Sequence, residues 1–93
     1  MIKSFKDKVT EKVYSREGSN KLPQDIQQVA LRKLRMINNP KNLNDLRIPP
    51  ANRLEKLRGD REGQQSIRIN DQWRICFIWQ DGNTYEVEIT DYH

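Results

Sequence analysis

The chain has 93 residues, with 17 Lys and Arg against 13 Asp and Glu, a net charge of +4 and only 34% hydrophobic residues. This length predicts a single domain spanning residues 1–93, with a small core. One cysteine excludes an internal disulfide, and one cysteine with one histidine cannot form a Cys/His zinc site. No apolar run approaches the ~20 residues that span a bilayer, so we expect a cytoplasmic protein with no membrane segment.

Charge is distributed unevenly along the chain. Residues 1–52 contain 11 basic and 5 acidic side chains, whereas residues 81–93 contain 4 acidic side chains and no Lys or Arg. A basic surface attracts polyanions, of which nucleic acid is the commonest. The alternative is a solvated surface with a modest excess of lysine, and the charge alone does not separate these two interpretations.

The first half of the chain predicts a short strand followed by helices. Ile2–Phe5 is apolar enough for an opening strand, Lys6–Tyr14 is ambiguous, and Arg16–Lys21 is a polar loop. A helix is predicted over Pro23–Asn38, because apolar residues recur there at helical spacing and proline suits the first turn. One further helical turn is expected around Leu43–Leu46.

The second half predicts antiparallel strands. Candidate strands cover Arg53–Leu57, Ser66–Asn70, Trp73–Trp79 and Thr84–Thr90. The last two are joined by a strong hairpin turn. In the last strand, alternation predicts that Tyr85, Val87 and Ile89 point inward. The order of elements predicts an α+β fold, with helices on one face of an antiparallel sheet and the other face open for chemistry.

Three arginines are the first candidate site residues. Arg58 lies at a strand end, while Arg68 and Arg74 flank a short hairpin turn and are expected to lie near each other across it. Clustered guanidinium groups repel unless an anion joins them, and a phosphodiester matches their geometry. The alternative is that each arginine pairs with a nearby carboxylate, namely Asp60, Glu62, Asp71 or Asp91. Cys76 lies in an apolar strand and is interpreted as a small core residue.

The final residues are the second candidate. His93 can donate or accept a proton near neutral pH, Asp91 lies close to it, and Tyr92 offers a ring for base stacking. The alternative is a frayed terminus without function.

Three segments resemble the HigB toxins of the RelE superfamily, which belong to type II toxin–antitoxin systems. Leu57-Arg58-Gly59-Asp60-Arg61 resembles their "L-(K/R)-G-(D/N)-R" segment. Ser66–Phe77 resembles their "S-I-R-(V/I)-N-x-x-W-R-(I/L)-x-F" core, and Asp91-Tyr92-His93 resembles their closing "D-Y-H". The three matches occur in order and at compatible spacing.

The resemblance implies a microbial-RNase-like (RelE-like) fold and an mRNA endonuclease that acts on the ribosome, in the decoding site of the 30S subunit with its 16S rRNA. Cleavage would use attack of the RNA's own 2′-OH on the adjacent phosphate, without a metal or other cofactor. The catalytic set would be Arg58, Arg68, Arg74, Asp91, Tyr92 and His93. We expect Asp91 and His93 to share the proton transfers.

The resemblance also implies partners. The usual one is a HigA-type helix-turn-helix antitoxin, and operator DNA would be bound only through the antitoxin complex. Basic side chains of the first half are expected to face ribosomal RNA, namely Lys3, Lys6, Lys8, Lys12, Arg32, Lys33, Arg35 and Lys41. The competing interpretation is a non-catalytic growth inhibitor that binds RNA or the ribosome with the same fold.

Overall fold

The computed structural model describes residues 1–91, and Tyr92 and His93 lie outside the described residues. The helices are α1 (Lys8–Tyr14) and α2 (Gln24–Asn38), and short 3₁₀ turns cover Leu43–Leu46, Pro50–Asn52 and Gly59–Arg61. The strands are β1 (Glu55–Lys56), β2 (Gln65–Arg68), β3 (Trp73–Gln80) and β4 (Asn83–Asp91). Neighbouring strands pair antiparallel in the order β1-β2-β3-β4.

Helix α2 confirms the prediction made from its apolar spacing. Pro23 occupies the N-cap position, and Ile26, Ala30, Leu34 and Ile37 form the buried stripe. The helix ends before Asn39 and Pro40, as expected for a proline that follows a C-terminus. The predicted turn at Leu43–Leu46 is also present, as a 3₁₀ turn.

The ambiguous segment before the polar loop is helix α1. Its N-cap is Asp7, whose carboxylate accepts a hydrogen bond from the backbone N–H of Thr10 at 2.7 Å. The hydroxyl of Thr10 is fully buried and accepts from the backbone N–H of Ile89 at 2.9 Å. Weak helix formers therefore form a helix here, because one cap starts it and one side-chain bond attaches it to β4.

The helices cover one side of the sheet. Ile67, Ile75 and Ile89 are in register across β2, β3 and β4, and they join the core cluster that contains the apolar stripe of α2. We call this side the helix face. The predicted opening strand lies along the outer edge of β4, where Ile2 and Phe5 form isolated parallel bridges with Thr84 and Val87.

A β-bulge in β4 makes the prediction for Tyr85 wrong. The register shifts between Cys76 and Ile78, and Glu86 adopts a positive φ of 53°. Tyr85 pairs with Ile78 and therefore lies on the opposite side of the sheet from Val87 and Ile89. Thr84, which pairs with Trp79, lies on the helix face instead and is fully buried.

The predicted strand Arg53–Leu57 is much shorter than expected. Only Glu55–Lys56 pairs with β2. The 3₁₀ turn Pro50–Asn52 comes immediately before it, and Arg53 then has a left-handed φ of 44°, which prevents an extended strand from starting there. Among residues 1–91, no helix is long and apolar enough to cross a membrane.

Candidate functional site

Two of the predicted arginines face each other across the sheet. Arg68 in β2 and Arg74 in β3 are direct antiparallel partners. Both point away from the helices, because Ile67 and Ile75, one residue along each strand, lie on the helix face. We call this opposite side, which carries Ser66, Arg68, Arg74, Cys76 and Glu88, the arginine face. Two like charges directly opposite each other are unfavourable, so the pair favours a bound anion.

Arg74 is held in one orientation by the surrounding backbone and side chains. Its Nε donates to the hydroxyl of Ser66 at 2.8 Å, and its Nη2 donates to the carbonyl of Arg53 at 2.7 Å. Its side chain is only 11% exposed, and the nearest Glu55 carboxylate oxygen is 4.0 Å from Nη2. The guanidinium is therefore oriented before any ligand arrives.

Arg68 is less constrained. Its guanidinium forms an ion pair with Asp71, three residues on, whose side chain is 99% exposed. A solvent-exposed pair of this kind contributes only about 0–1 kcal/mol, so a phosphate can displace it at small cost. Arg68 therefore does pair with a nearby carboxylate, as the alternative interpretation predicted. Because this pair is exposed to solvent, an anion can still reach the guanidinium.

Arg58 lies beside a turn that is fastened to the arginine face. It directly precedes the 3₁₀ turn Gly59–Arg61 and is exposed. Arg61 donates to the carboxylate of Glu88 at 3.0 Å and to the side chain of Gln64 at 3.2 Å. This ion pair joins the turn to β4, and the backbone N–H of Arg61 donates to the carbonyl of Arg58 at 3.3 Å, which holds the backbone of Arg58 at the start of the turn.

The structure does not bring Asp91 onto the arginine face. Arg74 pairs with Thr90, and Asp91 pairs with Trp73, so alternation places the Asp91 side chain on the other side of the sheet. Its carboxylate accepts a hydrogen bond from Gln72 Nε2 at 2.9 Å. Tyr92 and His93, the other two predicted C-terminal site residues, lie outside the described residues.

A buried lysine supports the arginine site from the helix layer. Lys33 on α2 is only 7% exposed, and its Nζ donates to the side chain of Asn52. The fully buried Asn52 in turn donates to the carbonyl of Leu46 at 3.0 Å. The next residue, Arg53, supplies the carbonyl that accepts from Arg74. Helix α2 therefore helps to position Arg74 through this segment.

Burial determines the titration of two further groups. The pKa of Lys33 lies below its ordinary value of 10.5, first because burial disfavours its charge and then because Arg32 and Arg68 are nearby. Burial raises the pKa of Cys76, so the thiol stays protonated at neutral pH. Cys76 is 1% exposed and is a core residue, as predicted. The expectation that Lys33 faces ribosomal RNA is wrong, because its amine is buried.

Comparison with known proteins now decides the family. A family model described as "RelE-like toxin of type II toxin-antitoxin system HigB" matches residues 3–93. The chain belongs to the HigB-like toxin family. It is 43% identical to Toxin HigB-1 of Vibrio cholerae serotype O1 over 89 residues, which cover 91% of this chain and 94% of that toxin. It is 34% identical to Endoribonuclease HigB of Proteus vulgaris over 94 residues, covering 100% of both.

Solved structures confirm the fold of this HigB-like toxin. The toxin–antitoxin complex YoeB-YefM from Staphylococcus aureus contains a chain that matches with a TM-score of 0.62 at 20% identity, covering 100% of this chain and 95% of that one. A second YoeB-YefM structure from the same organism matches with a TM-score of 0.58 at 21% identity. The predicted α+β, RelE-like fold is therefore correct.

Several residues that build the site in this HigB-like toxin were missed by sequence reasoning. Ser66, Arg61 and Glu88 position the arginines, yet each matched an ordinary strand or turn pattern. Lys33 and Asn52 are 19 residues apart, and no local pattern indicates that they meet. The available signal was alternation in β2: Ser66 lies two residues before Arg68 and so shares its strand face, which could have suggested a hydrogen-bonding role.

Proposed function

We propose that this HigB-like toxin is an endoribonuclease that cleaves mRNA on the ribosome and thereby inhibits translation and growth. The observation that carries the proposal is the facing pair Arg68 and Arg74, of which one is oriented by hydrogen bonds and the other is accessible. The relative named Endoribonuclease HigB supports the class of reaction. Action on the ribosome requires a cytoplasmic location.

The proposed chemistry is attack of the 2′-OH of the RNA on the adjacent phosphate. The new O–P bond forms as the bond to the 5′ oxygen breaks, leaving a 2′,3′-cyclic phosphate and a 5′-OH. Negative charge grows on the phosphate oxygens in the transition state, so preoriented guanidinium groups bind that state more strongly than the substrate. We assign this stabilisation to Arg68 and Arg74, with Arg58 as a third phosphate-binding cation.

The proton transfers are assigned to the end of the chain. A base must accept the 2′-OH proton, and an acid must protonate the departing 5′ oxygen. We propose that His93 takes part in these transfers and that Tyr92 stacks on a nucleotide. Because the Asp91 carboxylate accepts from Gln72 on the other side of the sheet, its proposed contribution is to hold the strand end that carries these two residues.

The proposed partners follow from the family and the surface charge. An antitoxin is expected, as in the YoeB-YefM complexes, and we propose one of the HigA helix-turn-helix type, through which operator DNA would be bound. Exposed lysines of the first half would supply salt-sensitive affinity for 16S rRNA in the 30S decoding site, namely Lys3, Lys6, Lys8, Lys12 and Lys41.

The test is primer extension on a translated mRNA, with and without ribosomes. The wild type is expected to generate new 5′ ends only when ribosomes are present. Arg68→Ala should reduce cleavage about 100-fold, because one charge-stabilising group is removed from the transition state. Arg47→Ala is the matched control, since Arg47 is exposed and lies in the loop before Pro50–Asn52.

Two outcomes would overturn the proposal. Wild-type protein that binds ribosomes without producing cut ends would support the non-catalytic inhibitor instead. Cleavage that survives both Arg68→Ala and Arg74→Ala would show that the catalytic groups lie elsewhere.

A further inference from the structure

A second basic feature lies in the helix layer. A groove with a volume of about 550 Å³ runs between the end of α1, the loop that follows it and the outer side of α2. Among residues 1–91, all of the residues that line it belong to these three segments and none belongs to the sheet. The groove is therefore separate from the arginine face.

Three arginines surround this groove. Arg32 and Arg35 are three residues apart on α2, and Arg16 follows α1. All three are exposed, and within residues 1–91 none of their guanidinium groups lies within 4.0 Å of a carboxylate oxygen. Three like charges without an internal counterion favour an anionic partner.

The walls of the groove are already formed. Gln27 accepts a hydrogen bond from the backbone N–H of Ser19 at 3.2 Å and donates to the carbonyl of Leu22 at 3.0 Å. The backbone of Arg16 is fixed by a hydrogen bond from its N–H to the carbonyl of Val13 at 3.1 Å. A ligand therefore meets a prebuilt groove, which lowers the ordering cost of binding.

The residues at the floor of the groove favour a protein ligand over RNA. It contains the buried Val13 and the half-buried Leu31, which favour an apolar anchor. None of its described lining residues is aromatic, so it offers no ring on which a base could stack. A phosphate backbone would use the arginines but leave the floor unoccupied, whereas an acidic peptide with one apolar side chain would use both.

We propose that this groove binds the antitoxin, through an acidic segment that places one apolar side chain against Val13 and Leu31. The carboxylates of that segment pair with Arg16, Arg32 and Arg35. This inference rests on the proposed toxin–antitoxin role. When bound in this groove, the acidic segment would not cover the arginine face.

The test measures binding of the purified full-length HigA-type antitoxin proposed above, by isothermal titration calorimetry. Arg32→Glu with Arg35→Glu should weaken binding by about 100-fold or more, because like charges would then face each other. Arg32→Gln with Arg35→Gln should weaken it by a smaller factor without risk of new repulsion. Leu31→Ser should weaken it about tenfold. The matched control is Arg47→Glu with Lys56→Glu, which makes the same charge change on exposed residues that do not line the groove.

Each result has a defined meaning. Groove variants that keep a wild-type circular dichroism melt and bind the antitoxin as tightly as the control would overturn the proposal. Groove variants that lose ribosome affinity but keep antitoxin affinity would show that the groove binds RNA. Failure of the wild type to cleave mRNA would refute the proposed nuclease function, but it would leave this binding measurement unchanged.

Discussion

The hydroxyl of Ser66 provides the sharpest test of how Arg74 works. Ser66 is fully buried, so it cannot itself contact RNA. Its oxygen accepts the hydrogen bond from Arg74 Nε at 2.8 Å. The substitution Ser66→Ala removes this acceptor and leaves the bond from Arg74 Nη2 to the carbonyl of Arg53 at 2.7 Å. The guanidinium would stay at the site but lose one of its fixed directions.

The size of the effect follows from burial. A hydrogen bond to a charged group contributes about 1.5–3 kcal/mol, and the Arg74 side chain is only 11% exposed, so water replaces the lost acceptor poorly. We expect Ser66→Ala to lower the free energy of unfolding by about 2 kcal/mol. If roughly 1.4 kcal/mol of this lost free energy also raises the activation barrier for cleavage, the cleavage rate should fall about tenfold.

The assay combines urea unfolding with single-turnover cleavage of ribosome-bound mRNA. Ser15→Ala is the matched control, because the exposed Ser15 hydroxyl donates only to the carbonyl of Glu11 within its own helix, at 2.9 Å. It should change neither quantity measurably. The reasoning is refuted if Ser66→Ala loses stability but cleaves at the wild-type rate, since the orientation of Arg74 would then be irrelevant to the reaction.

Two further predictions concern the support of the fold. Below its lowered folded-state pKa, Lys33 carries the full cost of a buried charge, and this cost disappears as the pH rises toward 10.5, where the unfolded chain also loses the proton. Urea unfolding at several pH values should therefore show wild-type stability rising relative to Lys33→Met across that window, and a falling difference would contradict this. Gly18→Ala should destabilise the fold more than Gly82→Ala, as thermal melts would report. Both glycines have left-handed φ values, of 70° and 80°, but only at Gly18 would the added Cβ approach another side chain, 3.2 Å from Gln27 Oε1. Equal losses would show that the contact with Gln27 carries no cost.

The parts of the fold that the sequence predicted well depend on local patterns. Helix α2 has an apolar stripe at helical spacing, and β3 has a mostly apolar run between turn residues, in which Arg74 is the charged exception. The facing of Arg68 and Arg74 was predictable because only a short turn separates their strands. Each of these features is set by residues close in sequence, where periodicity and turn chemistry dominate.

The bulge at Glu86 shows why other parts could not be predicted. Glutamate has no special preference for the left-handed φ of 53° that it adopts here. Its backbone N–H donates to the hydroxyl of Ser4 at 2.9 Å, a contact between residues 82 positions apart. The bulge is compatible with this long-range pairing, and simple alternation therefore assigned Tyr85 to the wrong side of the sheet.

Lys33 illustrates the same limit at the candidate site. A lysine beside two arginines near the end of a helix matches a solvated basic surface, and Arg32 and Arg35 are indeed exposed. The difference is that Lys33 meets Asn52, which is fully buried and is reached only through the turn after Pro49. Burial of a charge depends on which distant residue accepts its hydrogen bond, and a local charge pattern contains no information about that residue.

In the proposed reaction, Arg68 and Arg74 would each contribute a different property to phosphate binding. A guanidinium that is fixed on several sides, as Arg74 is by Ser66 and Arg53, loses little further freedom when a ligand arrives, but it has fewer free donors to offer. Within the described part of the chain, the Arg68 guanidinium is held only by the exposed Asp71, so it can turn its donors to an anion once that weak pair opens. Because the two arginines are direct partners across β2 and β3, the site has one guanidinium that is already oriented and one that has donors to offer. The repulsion between their charges destabilises the site when no anion is bound. The same repulsion would be relieved most when negative charge accumulates between them, as it would in the transition state of the proposed RNA cleavage.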